Sequence, residues 1–418
     1  MNIALKREKT AAEAALTDQF AKAPRSANAA RAFQRFETLG LPGRRVESWH
    51  YTDLRAQLKE AAPLAAAPHE EAIAAARALL AAEPKLAATR LVLIDGRLIA
   101  ELSDAPPAGV ALTTGAPDGA IAENVDALIA LAAAIATGGF TLSVNAGVDA
   151  GRLEIVHLSR EGASFARLRI DLGAGARAAL VERCLGAALG AQRHRLTEIT
   201  LAKGARLDQV VSLEDSPRLN LDSTIAQLAE GAELFNFGLA LGGELTRRQL
   251  FVSIDGPNAQ LSLAGLTLLD GERRSDTTIE ARHGAPRGTS REFFRTIVAD
   301  EAAGTFQGKI TVAPHAQKTD GAMKSQAILL SPTATMNNKP ELEIFADDVV
   351  CGHGATVGAL DPQQVFYLEA RGIPRDEAEA ILLEAFGAEA IGRIADAEIA
   401  EAVATRARAW FAGRGMRR

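Results

Sequence analysis

Residues 197–239 read TEITLAKGARLDQVVSLEDSPRLNLDSTIAQLAEGAELFNFGL and contain two similar turns, Gly204-Ala205-Arg206 and Gly231-Ala232-Glu233. Similar turns come before them at Gly175-Ala176-Arg177 and after them at Asn258-Ala259-Gln260, so that the alanines are separated by 29, 27 and 27 residues. Each turn lies between two short β-prone segments. A unit of two short strands cannot bury its own apolar face and must stack on its neighbours. The repeat therefore predicts a β-solenoid.

A two-sheet sandwich also places strands at regular spacing. It would rarely run to eighteen or more strands in one domain, however, whereas the β-prone pattern here continues for more than two hundred residues (a rough count). We therefore favour the solenoid over a sandwich or a barrel.

The segments on both sides of the repeat are helical. Before it, Ala29, Ala32, Phe33 and Phe36 share one helix face and the helix ends at Gly40-Leu41-Pro42-Gly43, while Asp95-Gly96 predicts a hairpin because that dipeptide tolerates positive φ. The sequence thus predicts three parts: residues 1–136 as an N-terminal helical region with a small hairpin, 137–360 as the solenoid, and 361–418 as a C-terminal helical domain.

Within the C-terminal part, Asp361-Pro362 supplies an acidic N-cap and a proline at the first helical position, and Gly372 is expected to end that helix. Pro374 opens a second helix that is expected to stop near Gly387. Its predicted buried stripe is Ala378, Ile381, Leu382 and Ala385. A last helix has Ile399, Val403, Ala407 and Trp410 at helical spacing.

Composition narrows the functional classes. The chain has 418 residues, 48% hydrophobic and 23% charged, and its formal charge of −6 comes from interspersed acidic and basic residues, so nucleic acid is not an expected partner. The longest apolar run, Ala127 to Ala136, is too short to cross a bilayer, and the first twenty residues do not have the pattern of a secretory signal. We expect a cytoplasmic protein without a membrane partner.

The sequence lacks the common enzyme motifs. The glycine-rich run from Gly352 to Gly358 lacks the lysine of a phosphate-binding loop, and the dinucleotide-binding, zinc-protease and serine-hydrolase patterns are absent. The likeliest chemical site is Cys351-Gly352-His353, because a thiol and an imidazole two residues apart on an extended segment point to the same face and are ligands suited to iron or zinc. Two ligands do not complete a site, so an inert packed thiol beside a turn histidine is the alternative.

Three other candidates have simpler structural explanations. His315, near Lys318 and Asp320, is expected in a hydrogen-bonded turn, and Cys184 is expected to be a buried small hydrophobe. A polar and aromatic cluster near residue 48 could be a ligand pocket or could dock the N-terminal helices on the solenoid; its members are Arg44, Arg45, Glu47, Trp49 and Tyr51.

Five segments of the chain match a pattern known from other proteins: Glu47-Ser48-Trp49-His50-Tyr51-Thr52-Asp53-Leu54, Thr305-Phe306-Gln307-Gly308-Lys309-Ile310, the run from Ala316 to Gly321, the run from Asn338 to Val349, and CGHGATVGALDPQQVFYLEARGI from Cys351. Together these segments resemble the SufB/SufD family of iron-sulfur cluster assembly proteins. Within the family, Gly354 and Leu368 resemble the SufD branch, since SufB is expected to carry Glu and Cys there.

This resemblance implies a right-handed parallel β-helix flanked by helices, and a non-catalytic scaffold that pairs with SufB through the β-helix ends. It also implies that the ATPase SufC docks on the C-terminal helices. His353, accompanied by Cys351, would be a ligand of a nascent cluster or iron site completed by SufB. No cofactor would be held stably by this chain alone; a transient iron or iron-sulfur cluster, and a flavin, would belong to the complex.

Two alternatives stay open at this point. A β-solenoid enzyme, such as a carbohydrate lyase or an acyltransferase, would need charged residues repeating along one solenoid face, and the sequence has no such carboxylate ladder. A purely structural homodimer would leave Cys351 and His353 inert.

Overall fold

The computed structural model describes residues 8–22, 26–122, 125–214 and 217–415. It contains eight α-helices within these ranges: α1 Ala11–Ala21, α2 Ala27–Leu39, α3 Leu54–Gln57, α4 Glu70–Ala82, α5 Ala127–Ile135, α6 Pro362–Glu369, α7 Arg375–Ile391 and α8 Ala397–Gly415. The strands in the same ranges are β1 Thr89–Ile94, β2 Arg97–Leu98, β3 Val110–Thr114, β4 Gly138–Val144, β5 Asp149–Leu158, β6 Ala163–Leu172, β7 Arg177–Leu185, β8 Gln192–Leu201, β9 Arg206–Leu213, β10 Leu219–Leu228, β11 Glu233–Ala240, β12 Leu245–Ile254, β13 Gln260–Leu269, β14 Arg274–His283, β15 Thr289–Val298, β16 Ala303–Val312, β17 Asp320–Leu329, β18 Thr335–Ile344 and β19 Val350–Gly358.

From β4 onward the chain winds as a β-solenoid, which confirms the predicted fold class. The odd-numbered strands from β5 to β19 stack in one sheet and the even-numbered strands from β4 to β18 in the other, and neighbours within each sheet are parallel. Stacking is in register, so that Leu207, Leu234 and Leu261 lie in one column. Apolar columns from both sheets meet inside the coil and form the main core.

The four turns that define the repeat share a left-handed backbone conformation. Gly175, Gly204, Gly231 and Asn258 have φ values of 67°, 66°, 64° and 63°. Each places a sharp turn at the same point of a coil, and the backbone N–H of one turn donates to the next, as from Gly204 to the Glu230 carbonyl at 2.9 Å. The turns therefore stack as the strands do.

The two sheets begin before residue 137. The predicted hairpin at Asp95-Gly96 is confirmed, with β1 antiparallel to β2, and β1 also pairs with β5. β3 pairs antiparallel with β4 at the same end of the other sheet. Because these strands run against the coil or end in a hairpin, they cap the N-terminal end of the solenoid.

The N-terminal helices pack against the side of the solenoid. α2 ends at Leu39 before Gly40, whose φ is 66°, and buries Phe33 and Phe36 as predicted. The apolar run 127–135 forms α5, and all nine of its residues are buried. No helix in the described ranges combines the length and the apolar character needed to span a bilayer.

Trp49 contributes contacts that hold the N-terminal helices against the solenoid. Its indole N–H donates to Asp126 at 2.8 Å, and the Arg247 guanidinium lies 3.7 Å from the centre of the ring. Arg247 also pairs with Asp276 at 2.5 Å, so the indole is held between an N-terminal helix and two solenoid coils. Of the two interpretations of the Arg44 to Tyr51 cluster, the structure supports the docking one.

The C-terminal helices differ from expectation in one element. Asp361 caps α6 by accepting from the Gln363 backbone N–H at 2.9 Å, and Gly372, with φ 85°, lies in the turn after it. The prediction that α7 stops near Gly387 was wrong, because α7 continues to Ile391. Gly387 lies close to the sheet instead: a Cβ there would lie 3.3 Å from the Leu266 side chain.

The buried stripe of α7 is therefore rotated from the predicted one. Ala378 is buried as predicted, but Ile381 is 41% exposed and Ala385 is exposed as well. The other buried residues of the helix are Leu383, Gly387, Ala390 and Ile391. α8 buries Ile399, Val403 and Ala407 as predicted.

Candidate functional site

The Cys351-Gly352-His353 segment lies on β19, the terminal strand of its sheet. β18 is the terminal strand of the other sheet, so both sheets end on the same coil. Within the described residues no further strand pairs with the outer edge of either one, in contrast to the capped N-terminal end. Cys351 and His353 thus belong to the open end of the solenoid, which we define as β18, β19 and the turn between them.

Register shows which way these residues face. Cys351 pairs with Gly321 and His353 with Met323, and both partners occupy buried positions of β17 that alternate with the exposed Ala322 and Lys324. In a parallel in-register stack, residues in one column share a face. Cys351 and His353 therefore occupy the columns that line the interior in the preceding coils, as the period-two pattern predicted for their common face.

Cys351 is partly buried and packs against the main core. Burial raises the pKa of its thiol above the ordinary value, and this outweighs the opposing effect of a hydrogen bond with the Gly321 backbone. The thiol is thus protonated at neutral pH, and it becomes a strong nucleophile or metal ligand only where a metal or a base removes the proton.

His353 is exposed, because no later coil covers its column. Below it the column continues through Met323 to Glu292, both buried. An exposed imidazole at the end of an inward-facing column can be reached by a second macromolecule that approaches the open end.

Cys351 and His353 do not form a complete metal site. In the part of the chain that the structure describes, no three His, Cys, Asp or Glu side chains converge in a way that could hold a metal ion. A four-coordinate site needs two more ligands than these two side chains could provide.

The open end also carries exposed apolar side chains. Val350 is 73% exposed and Phe345 63%, and Ile344 and Val357 are exposed as well. Unpaired strand edges next to large apolar side chains are a template for pairing with another chain. A second apolar surface lies on the C-terminal helices, where Phe366 and Tyr367 of α6 are exposed.

The other sequence candidates are accounted for by local structure. His315 lies in a turn and its Nε2 is 2.7 Å from the Gly284 carbonyl. Cys184 is buried against Val211 and Leu213, and burial raises the pKa of its thiol.

Sequence reasoning missed Glu292. Its residue is 2% exposed, neither carboxyl oxygen has a hydrogen-bond partner in the described structure, and desolvation raises its pKa to about 8. The sequence around Glu292 does not indicate that the residue faces inward. Only the register of β13, β15 and β17 shows that it lies between Leu263 and Met323 in one column.

Comparison with known proteins links this architecture to one family. Residues 155–386 match the family model for the SUF system FeS cluster assembly, SufBD core domain. The chain is 32% identical over 400 residues to the iron-sulfur cluster assembly protein SufD of Escherichia coli (strain K12), which covers 91% of this chain and 92% of that protein.

Two shorter matches agree with these. The chloroplastic protein ABCI7 of Arabidopsis thaliana is 32% identical over 204 residues, 48% of this chain and 43% of that protein. The iron-sulfur cluster assembly protein SufD of Bacillus subtilis (strain 168) is 32% identical over 124 residues, 30% of this chain and 28% of that protein. The region matched by the family model includes β19, with both Cys351 and His353.

Proposed function

Because the chain belongs to the SufB/SufD family of the SUF iron-sulfur cluster assembly system, we propose that it is a non-catalytic scaffold subunit that pairs with SufB through its open end. The observation that carries the proposal is the position of His353 on the terminal strand, exposed in an otherwise interior column. A partner solenoid placed edge to edge with β18 and β19 would extend both sheets and bring its own side chains to this column.

In this arrangement His353 and Cys351 contribute to a nascent cluster or iron site between the subunits. The metal or cluster is the cargo of the assembly and is held transiently. Its binding withdraws the proton of the Cys351 thiol, whose pKa is raised by burial in the free chain. His353 is the more accessible ligand and the first that an incoming metal meets.

The ATPase SufC docks on the C-terminal helices, and ATP hydrolysis belongs to that subunit. The support is the exposed pair Phe366 and Tyr367 on α6, beside helices whose other faces are already packed on the solenoid. A flavin in the full complex stays a prediction that no residue here supports in particular. The expected cytoplasmic location is likewise a prediction.

Co-purification tests the pairing. We expect affinity-tagged chain, co-expressed with SufB and SufC, to retain both partners, and Val350→Lys to reduce SufB recovery at least about tenfold, because a charge at a strand edge opposes pairing. Leu189→Lys is the matched control: Leu189 is 88% exposed and lies in the loop between β7 and β8, away from the open end.

The outcomes separate the alternatives. Loss of SufB with Val350→Lys but not with Leu189→Lys supports pairing through the open end. Wild-type chain that recovers neither partner, or Val350→Lys that retains SufB fully, would overturn the proposal. A chain that recovers only its own copies would instead support a structural homodimer.

A further inference from the structure

A cavity of about 350 Å³ lies between helix α8 and the outer face of the solenoid. Val181 of β7 and Val210 of β9 form its floor, and Ile399 and Val403 of α8 form its roof. Leu86, in the segment after α4, closes one side. This volume and this mainly apolar lining are typical of small-molecule sites.

Four charged side chains at the cavity neutralise one another. Arg183 donates to Glu83 at 2.6 Å and to Glu214 at 3.1 Å. Arg406 of α8 pairs with Glu214 at 2.6 Å and also with Glu83. Burial acts to raise the pKa of Glu83, but Arg183 and Arg406 hold that pKa below its ordinary value, so the carboxylate stays ionised.

This charge balance favours an uncharged occupant. A charged ligand would have to break at least one ion pair and leave a partly buried charge without its partner, which is strongly unfavourable. The two arginines and the two glutamates therefore disfavour charged ligands and leave the cavity suited to neutral molecules.

Ser212 of β9 supplies a polar group that the protein does not use. The residue is 4% exposed, it lines the cavity, and its hydroxyl has no hydrogen-bond partner among the described residues. Buried hydroxyl groups are ordinarily paired, and leaving one unpaired is unfavourable.

We propose that this cavity binds a small neutral molecule with an apolar body and one oxygen or nitrogen that accepts a hydrogen bond from the Ser212 hydroxyl. A single water could satisfy the hydroxyl, but the cavity is many times larger than the roughly 30 Å³ share of one water and its walls are mostly apolar. An occupant would contact both α8 and the solenoid and so brace the C-terminal helix. The inference does not depend on the proposed role in cluster assembly.

Two probes test the site: para-cresol, and para-xylene, in which a methyl group replaces the hydroxyl. Binding to the full chain is measured by ligand-observed NMR titration. We expect Ser212→Ala to weaken para-cresol about fivefold to tenfold, as for loss of one hydrogen bond, and to change para-xylene less than about twofold. Para-cresol should also slow hydrogen exchange of the α8 amides.

Filling the cavity gives the second arm. Val210→Phe from the solenoid side and Ala402→Leu from the α8 side should each abolish binding of both probes, and circular dichroism checks that each variant is folded. Two independent filling variants keep the test valid if one of them does not fold. Three results would overturn the proposal: para-cresol does not bind the wild-type chain, it binds both folded filling variants as tightly as wild type, or its affinity is unchanged by Ser212→Ala. The last result would leave water as the partner of the hydroxyl.

Discussion

Cys351 and His353 are only two residues apart, yet their environments differ in ways that bear on the proposed metal site. Cys351 packs on the core and its pKa is raised by burial, whereas His353 is exposed at the end of its column. The thiol is therefore protected and mostly protonated, and the imidazole is available. In the proposed site, this difference favours His353 as the first ligand and Cys351 as a ligand recruited once a metal is present.

The raised pKa of Cys351 predicts slow alkylation. With iodoacetamide at neutral pH, we expect one label per native chain, at Cys351, introduced more slowly than into free cysteine because less thiolate is present. The rate should still rise with pH beyond 9.0, the ordinary thiol pKa. Mass spectrometry locates the label.

Cys184 serves as the internal control, since it is buried and should react only after unfolding. Cys351→Ser should remove the native label. Labelling of Cys184 in the folded chain, or reaction of Cys351 as fast as free cysteine, would contradict the described environments.

Glu292 predicts a pH dependence of stability. Its folded-state pKa of about 8 lies above the ordinary value of 4.5, so between these values the folded chain holds a proton that the unfolded chain has released. Stability from this group is thus fully present below about pH 4.5 and is lost as pH rises towards 8, by at most about 1.4 kcal/mol per pH unit.

Glu292→Gln removes this ionisation while keeping the shape. Urea-unfolding midpoints should show the variant gaining on the wild type as pH rises from 5 to 8, with little further change above that value. Glu272→Gln, at an exposed position, controls for the loss of a carboxylate. A Glu292→Gln difference that is constant with pH would show that Glu292 is ionised in the folded chain and has found a partner.

At the scale of elements, the solenoid depends on turns that repeat one conformation. Positive φ recurs at the corresponding turn of successive coils, at glycines in the early coils and at Asn258, Arg287 and Lys318 in the later ones, where φ is 63°, 60° and 63°. Hydrogen bonds between successive turns, such as that from the Arg287 N–H to the Gln317 carbonyl at 2.9 Å, hold the backbone in this conformation even at residues with long side chains.

Gly204→Ala tests a turn without changing packing. A Cβ on Gly204 would meet nothing within 4 Å, so the expected loss of about 1–2 kcal/mol comes from the left-handed backbone alone. Gly190→Ala is the matched control, because a Cβ there is also free of contacts and its φ is not in the left-handed region. Equal urea midpoints for the two variants would mean that the turns do not set the stability of the coil.

How much of this element could be predicted depended on which residues form the turns. Glycine and asparagine at a period near 28 residues indicated the solenoid, whereas Arg287 and Lys318 gave no signal because neighbouring coils impose their conformation. Gly387 was misread for the opposite reason: glycine often ends a helix, and here it lets α7 approach Leu266.

In the candidate site, the two-residue spacing of Cys351 and His353 predicted their shared face, but only the register between strands identified Glu292.

At the scale of the molecule, the two ends of the solenoid are unlike. The N-terminal end is capped by β2 and β3. At the C-terminal end no strand of the described ranges pairs with the outer edges of β18 and β19, and apolar side chains there are exposed. The N-terminal segment reaches the last coils as well, since Lys339 pairs with Glu47 at 2.9 Å and Gln307 donates to the Ser48 carbonyl at 3.0 Å. The N-terminal segment therefore contacts the last coils from the side and leaves the open end itself accessible.

The most direct test of the central claim, that the open end supplies half of an intersubunit metal site, is the iron content of the reconstituted complex with SufB and SufC. We expect His353→Ala to lower iron and sulfide per complex severalfold without changing subunit recovery, because a ligand is lost and the interface is kept. His315→Ala, an exposed histidine on a neighbouring coil, should load as wild type does. Normal loading of the His353→Ala complex would contradict the claim and leave Cys351 and His353 as structural residues.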